Sequence, residues 1–266
     1  MCLLAVAFQA HDEYPLVLAG NRDEFHGRPT ARAHWWQQPP ILAGQDLSGG
    51  GTWLGLTARG RMATITNFRE PGVRHAVAPS RGELVVKALA SSDPENFRTT
   101  LAASGRSYNG FNLLWGDSRQ LYYAHNNPGS GPPGSHTPVH IQALEPGAHG
   151  LSNGLLDTPW PKLQHVRNGL AQMLAGADEL QEEALFELLA DRRQAADADL
   201  PDTGVARELE ARLSSPFICG EGYGTRASTV IIIRRGGMAS FRERSFDAHG
   251  QVQAEESFRF EPAPFR

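Results

Sequence analysis

Residues 1–25 read MCLLAVAFQAHDEYPLVLAGNRDEF. Two apolar runs, Cys2–Gln9 and Leu16–Gly20, flank a polar turn ending in Tyr14-Pro15, the pattern of a β-hairpin. A hairpin returns the end of its second strand to the start of its first. Asn21-Arg22-Asp23-Glu24 therefore comes within reach of Cys2. If Met1 is removed, Cys2 becomes the first residue and carries both a thiol and a free α-amine. That is the minimum equipment of an N-terminal nucleophile that attacks a carbonyl. A small apolar cysteine opening a buried strand is the plain alternative. Arg22 beside a cysteine favours the thiolate, and Asp23 can accept a hydrogen bond from the α-amine. A charged turn at the end of a strand is the plain reading of residues 21–24.

Working outward, Trp53–Thr57 with Arg61–Phe68 and Phe111–Trp115 with Gln120–His125 read as further strand pairs. Residues 139–144, 148–152, Pro216–Cys219, Thr225–Arg234 and Met238–Ser245 read as strands. Ser80-Arg81-Gly82-Glu83 fits a capping box for a helix carrying Leu84, Val85, Ala88 and Leu89 on one face. Asp93-Pro94 opens a second helix to about Ser104. Thr158-Pro159 opens a third, to about Leu174, and residues 180–190 and 203–213 look helical. Residues 126–138 form a Pro/Gly/Ser loop. Strands come in adjacent pairs, which favours antiparallel sheets over a doubly wound parallel sheet. Two such sheets flanked by helices place both chain ends in the sheet layer and hold residue 2 rigidly.

The chain has 266 residues, 40% of them hydrophobic, and is read as one domain spanning 1–266. A net charge of −4 and no dense basic run speak against nucleic acid as a partner. Two cysteines make no disulfide framework and fit a reducing compartment. No apolar run approaches the roughly 18 residues of a membrane span. Cys2–Phe8 has no Lys or Arg before it, and His11-Asp12-Glu13 follows at once, so it reads as a strand of a cytoplasmic protein rather than a signal peptide.

Acyl transfer needs hydrogen-bond donors for an oxyanion. Asn67 and Asn153 supply amides at strand ends. Arg226 opens the most apolar strand, where it can pair with Asp23 or grip an anionic substrate; a plain salt bridge is the alternative. Gly150-Leu151-Ser152-Asn153-Gly154 matches G-x-S-x-G, with His249 or His165 as partner, but no helix starts at the serine as a nucleophile elbow requires. The glycines at 49–51 and 220–224 lack a following Gly-Lys-Ser/Thr and read as tight turns. His136 and His140 have no partner at metal spacing. Trp35 and Trp36 can line an apolar mouth or pack in a core, and Cys219 reads as buried structure.

Several stretches together carry a family resemblance. They are Met1-Cys2, AGNRDEFHGRPT (19–30), GGTWLG (50–55), TNFRE (66–70), SRGELV (80–85), GFNLLWGD (110–117), LSNGLLDTPWPKL (151–163) and YGTRASTVIII (223–233). In that order they run through most of the chain, which resembles a bacterial-type member of the NRDE family, also called the transport-and-Golgi-organisation protein 2 family. The resemblance implies an α+β fold of the N-terminal-nucleophile hydrolase kind. Such a fold is a four-layer αββα sandwich with two mainly antiparallel sheets between helix layers. It is similar to the choloylglycine-hydrolase and penicillin-V-acylase group. By resemblance the catalytic roles fall on Cys2, Arg22, Asp23, Asn153 and Arg226, with Asn67 as a further oxyanion donor. Arg22 and Asp23 are adjacent here, a departure from that group's spacing. Asn21, Glu24, Trp35, Trp36 and Arg69 are the substrate-contact candidates. The implied activity is amide or thioester hydrolysis of a small amphipathic substrate, with no required cofactor and no metal. Eukaryotic members are associated with haem trafficking and with acyl-CoA or lipid handling. The resemblance therefore also admits a non-catalytic carrier, with haem as a bound ligand rather than a cofactor.

Overall fold

The structure, a computed structural model, describes residues 2–69, 77–126, 139–176 and 179–263. Residues 127–138 of the expected loop, including His136, lie outside the described residues, as does Glu70. The chain divides into two compact units, one of residues 1–28 and 145–261, the other of 29–144 and 262–266.

The first unit holds a six-stranded antiparallel sheet. In chain order its strands are β1 (Cys2–Phe8), β2 (Leu16–Phe25), β10 (Gly147–Leu151), β11 (Tyr223–Ile233), β12 (Ala239–Phe246) and β13 (Val252–Phe260). The spatial order is β10-β1-β2-β11-β12-β13, so the first and last strands share one sheet. Its helices are α3 (Pro161–Gly176), α4 (Glu182–Leu189) and α5 (Arg207–Leu213). Side chains alternate between sheet faces. Leu3, Ala5, Ala7, Val17, Ala19, Val230 and Ile232 lie on one face and form a core with Leu163, Val166 and Leu170 of α3 and Leu185 and Leu189 of α4. The alanines let α3 approach closely. At Gly150 a Cβ would fall 2.7 Å from Leu163, so the helix lies almost on the strand there. Leu4, Val6, Leu16 and Leu18, on the other face, are fully buried too. That explains why β1 and the apolar half of β2 read as continuous apolar runs.

The second unit holds a seven-stranded antiparallel sheet in sequential order: β3 (Thr30–Trp35), β4 (Ile41–Asp46), β5 (Leu54–Thr57), β6 (Met62–Asn67), β7 (Phe111–Gly116), β8 (Leu121–His125) and β9 (His140–Ala143). Helices α1 (Gly82–Ala90) and α2 (Pro94–Ser104) pack on it through Leu84, Val85, Leu89, Phe97 and Leu101. No helix among the described residues is long and apolar enough to cross a membrane.

The β1–β2 hairpin, the β5–β6 and β7–β8 pairs and the Asp93 cap of α2 match the sequence reading. Four points differ. First, β2 runs on to Phe25, so Asn21–Glu24 is strand and not turn. Second, residues 216–219 are not a strand; Ile218 instead bonds β11 through Thr225. Third, α1 has Arg81 at its N-cap with no side-chain cap bond, and the Glu83 N–H donates to the Ser80 carbonyl. A Cβ on Gly51 would lie 2.4 Å from Gly82, so backbone contact, not a capping box, fixes where this helix begins. Fourth, β3, β4 and β13 are additional strands.

Candidate functional site

Cys2 sits directly opposite Arg22 in the β1–β2 ladder, and Arg22 directly opposite Ala227 in the β2–β11 ladder. Residues opposite one another in an antiparallel ladder share a face. The thiol and the guanidinium therefore project side by side, and both are buried, at 8% and 7% exposure. Arg22 Nη1 is buried without a hydrogen-bond partner, while Nη2 lies 3.7 Å from Glu24, two residues on along the same face. Arg28 approaches the same Glu24 oxygen at 3.8 Å. Burial pushes the Cys2 thiol above its ordinary value; Arg22 pulls it down, and Asp23 and Glu24 push it up. The thiol is thus neutral at neutral pH and needs a base to become a nucleophile.

Asp23 and Asn21 occupy the opposite face of β2. Asp23 is 1% exposed, and its Oδ1 accepts from the Thr225 hydroxyl at 2.7 Å. Burial raises its carboxyl, against the pull of Lys162, Thr225 and Arg22. Lys162, buried in the first turn of α3, donates to the Leu213 carbonyl at 2.7 Å. Asn21 donates to the Leu189 and Pro216 carbonyls, both at 2.9 Å, and accepts from Ser228 at 2.6 Å. It ties β2 to α4, to the 214–219 segment and to β11.

Between Thr225 and Ala227 the β2–β11 register slips by one residue, and the extra residue is Arg226. Such a bulge turns a side chain out of the regular alternation. Arg226 Nη1 donates to the Phe25 and Arg28 carbonyls at 3.0 and 2.8 Å, over the end of β2. Burial lowers its pKa, Arg22 adds to this, and Glu24 opposes it. Three guanidinium groups thus gather around one carboxylate.

On the other side of β1, Leu4 lies opposite Leu151 of β10. The chain then leaves the sheet as Ser152-Asn153, both buried. The Ser152 hydroxyl lies 3.0 Å from the Cys2 carbonyl and donates to it. That contact docks the turn carrying Asn153 onto the residue bearing the thiol. His165, weighed as a partner for a Ser152 nucleophile, lies 3.0 Å from Asp191 instead.

Cys2, Arg22, Asp23, Asn153 and Arg226 thus lie at one end of four strands of the first unit, with Asp23 on the face opposite Cys2 and Arg22. Asn67, opposite Phe111 at the end of β6, belongs to the second unit, as do Trp35, Trp36 and Arg69. Trp36 packs against that unit's core and donates to the Ala43 carbonyl at 3.0 Å; Trp35 is partly exposed. Cys219 is exposed, not buried as its place just before Gly220 suggests. Residues 213–218 are buried, and the chain turns outward at Cys219. His140 stacks on His125 with ring centres 5.1 Å apart. Sequence reasoning did not single out Thr225, Lys162 or the docking role of Ser152. Each acts through a partner about 140 to 200 positions away, and only the sheet register reveals it.

The sequence matches the Transport and Golgi organisation 2 family over residues 1–248. The chain belongs to this family. The Transport and Golgi organization protein 2 homologs of Bos taurus and Homo sapiens are 34% and 33% identical to it, each over 92% of this chain and 93% of theirs. The Drosophila melanogaster Transport and Golgi organization protein 2 is 26% identical over 94% of this chain and 95% of its own. Among solved structures, the chain is similar to a conjugated bile acid hydrolase from Clostridium perfringens. A Cys-to-Ala variant of that enzyme gives a TM-score of 0.56, covering 98% of both chains at 9% identity. An Arg-to-Leu variant gives 0.50 with the same coverage and identity. This Transport and Golgi organisation 2 family member therefore has the α+β fold of the N-terminal-nucleophile hydrolases, with two antiparallel sheets and five α-helices among the described residues.

Proposed function

We propose that the protein is an N-terminal-cysteine acyl hydrolase acting on an amide or thioester of a small amphipathic substrate. The observation that carries this reading is the pairing of a buried Cys2 with Arg22, whose Nη1 is buried and has no protein acceptor. A guanidinium left with an unused donor beside a neutral thiol is arranged to receive an oxygen of the substrate. Once Met1 is removed, the α-amine of Cys2 takes the thiol proton as sulfur bonds to the carbonyl carbon. Arg22 and the Asn153 amide stabilise the oxyanion, and Asp23 orients the amine. Collapse of the intermediate breaks the bond to the leaving group, which takes the proton from the ammonium. Water then attacks the thioester, releasing the acid and restoring the thiol. A free α-amine, with an ordinary pKa of about 7.7–8, suits this work at neutral pH. The fold likeness to a bile acid hydrolase supports the same chemistry.

N-terminal sequencing combined with 4-nitrophenyl acetate turnover tests the amine's role. Protein beginning at Cys2 should become acetylated, and protein retaining Met1 should not. Equal acylation of the Met1-containing form would remove the amine from the mechanism.

The gathering of Arg22, Arg28 and Arg226 around Glu24 favours a second reading, a carrier for an amphipathic anion such as haem or an acyl-CoA. The names of the curated relatives, which speak of transport, fit it. A carrier keeps saturable ligand binding in Cys2→Ala and loses it in Arg22→Ala, whereas the hydrolase loses turnover in both.

A further inference from the structure

The turn that docks on Cys2 is closed by an ion pair outside the machinery described so far. His149, on β10, places Nδ1 2.8 Å from Asp157 Oδ2 and Nε2 2.9 Å from the Glu145 carbonyl. Both partners are acceptors, so both ring nitrogens must donate, and the ring is an imidazolium. Asp157 Oδ1 accepts from the Gly150 N–H at 2.7 Å and from Arg167 Nη1 of α3 at 3.3 Å. The Asp157 N–H returns to the Gly150 carbonyl at 2.8 Å, which closes residues 150–157 into a loop. Asp157 has φ +56°, a left-handed conformation that aspartate adopts more readily than most residues and that suits the turn closing this loop. Ser152 and Asn153 lie inside this closed loop, and the Ser152 hydroxyl reaches the Cys2 carbonyl.

We infer that His149 and Asp157 are positioning residues: their ion pair clasps the loop that presents Asn153 at Cys2. The inference rests on the acyl-transfer reading, in which Asn153 is an oxyanion donor. The charged groups facing His149 are Asp157 from the loop and, beyond it, Arg167 from α3; β1, with the sequence CLLAVAF, brings none. The Asp157 bond raises the His149 pKa, burial opposes it, and the Glu145 carbonyl adds to it. Burial works to raise Asp157, but His149, the Gly150 N–H and Arg167 outweigh it and hold the carboxyl low. A histidine pKa raised on folding gives stability that is full below the ordinary value of 6.5 and is lost as pH rises through the folded value. A depressed aspartate gives stability that is lost as pH falls below 3.8 through its folded value. The clasp is therefore an ion pair in mildly acidic to near-neutral solution and weakens on the alkaline side, where the neutral ring keeps one N–H and can serve only one of its two acceptors.

Two probes of Cys2 separate positioning from damage. Acylation by 4-nitrophenyl acetate passes through an oxyanion, and alkylation by iodoacetamide does not. In His149→Ala, acylation should slow about 10- to 100-fold, the scale of a displaced catalytic group, with alkylation within about twofold of wild type. His149→Asn, whose amide can replace the Nδ1 bond without titrating, should recover most of the rate. The ratio of wild-type to His149→Asn acylation should fall from about pH 6 to about pH 9. If Asn153→Ala slows acylation and His149→Ala does not, the clasp has no positioning role. A parallel fall in alkylation would also overturn that role, marking general damage. If wild-type Cys2 is not acylated, or Asn153→Ala leaves its rate unchanged, the acyl-transfer reading falls and takes this inference with it.

Discussion

Replacing Arg22 with leucine should slow acylation of Cys2 by 4-nitrophenyl acetate about 100- to 1000-fold, the cost of one lost oxyanion donor in a buried site. It should do so without unfolding the protein. A buried guanidinium nitrogen with no acceptor is a charge taken from water without full compensation, so it does little for stability. Its ion pair with Glu24 is long, at 3.7 Å, and Glu24 keeps Arg28. Stability of Arg22→Leu should lie within about 1 kcal/mol of wild type, or above it. Arg22 also lowers the thiol pKa, so alkylation of Cys2 in the variant should move to higher pH. Arg22→Lys should not restore acylation, because a single ammonium does not reproduce the planar fork. Stopped-flow release of nitrophenolate, urea denaturation and the pH profile of alkylation read the three effects. A large loss of stability with unchanged acylation would make Arg22 a structural residue.

Asp23→Asn should separate function from stability in the same way. The carboxyl is buried beside the thiol strand and held by Thr225. An amide of the same shape can keep the Thr225 contact but cannot supply the charge that orients an ammonium. A drop of about 100-fold or more in acylation is expected, comparable to other lost groups that act through a base. The pH dependence has a definite sign. Burial raises the folded-state pKa of Asp23 above its ordinary 3.8, so the native state holds this proton more tightly than the unfolded chain. Stability from this group is therefore greatest below 3.8 and falls as pH rises through the folded value. The urea midpoint of wild type minus that of Asp23→Asn should fall as pH rises through this range, which removes the contributions both proteins share. Equal pH slopes would mean that Asp23 is not held as the structure describes.

Much of this site was legible because a hairpin converts sequence order into proximity. Seven apolar residues, a polar turn and a second apolar run are enough to bring Arg22 opposite Cys2. The length of β2 was not legible. Asn21 and Asp23 are polar residues buried inside a strand, tolerated because Leu189, Pro216, Ser228 and Thr225 satisfy them. Those partners lie about 170 to 210 positions away, and locally NRDE carries only a turn signal. The face on which each side chain falls follows from that extension. So does the bulge at Arg226, which no periodicity reveals. Strand β13, VQAEESFRF, was hidden for a different reason. It lies at a sheet edge, and its charged side chains meet Arg242 and Arg244 rather than a core. At an edge, ladder hydrogen bonds and ion pairs can hold a strand that hydrophobic patterning does not announce. The start of α1 was misread because a close backbone approach of Gly51 to Gly82 outweighs the capping preference of Ser80.

In this mechanism the sulfur of Cys2 forms the acyl bond. The most direct measurement is peptide mass spectrometry after acid quench of the reaction with 4-nitrophenyl acetate, on wild type and Cys2→Ala. Acyl transfer through Cys2 gives one acetyl group on the N-terminal peptide of wild type, at Cys2, and none anywhere in Cys2→Ala. An acetyl group on Ser152 or Cys219, or unchanged acylation in Cys2→Ala, would contradict it.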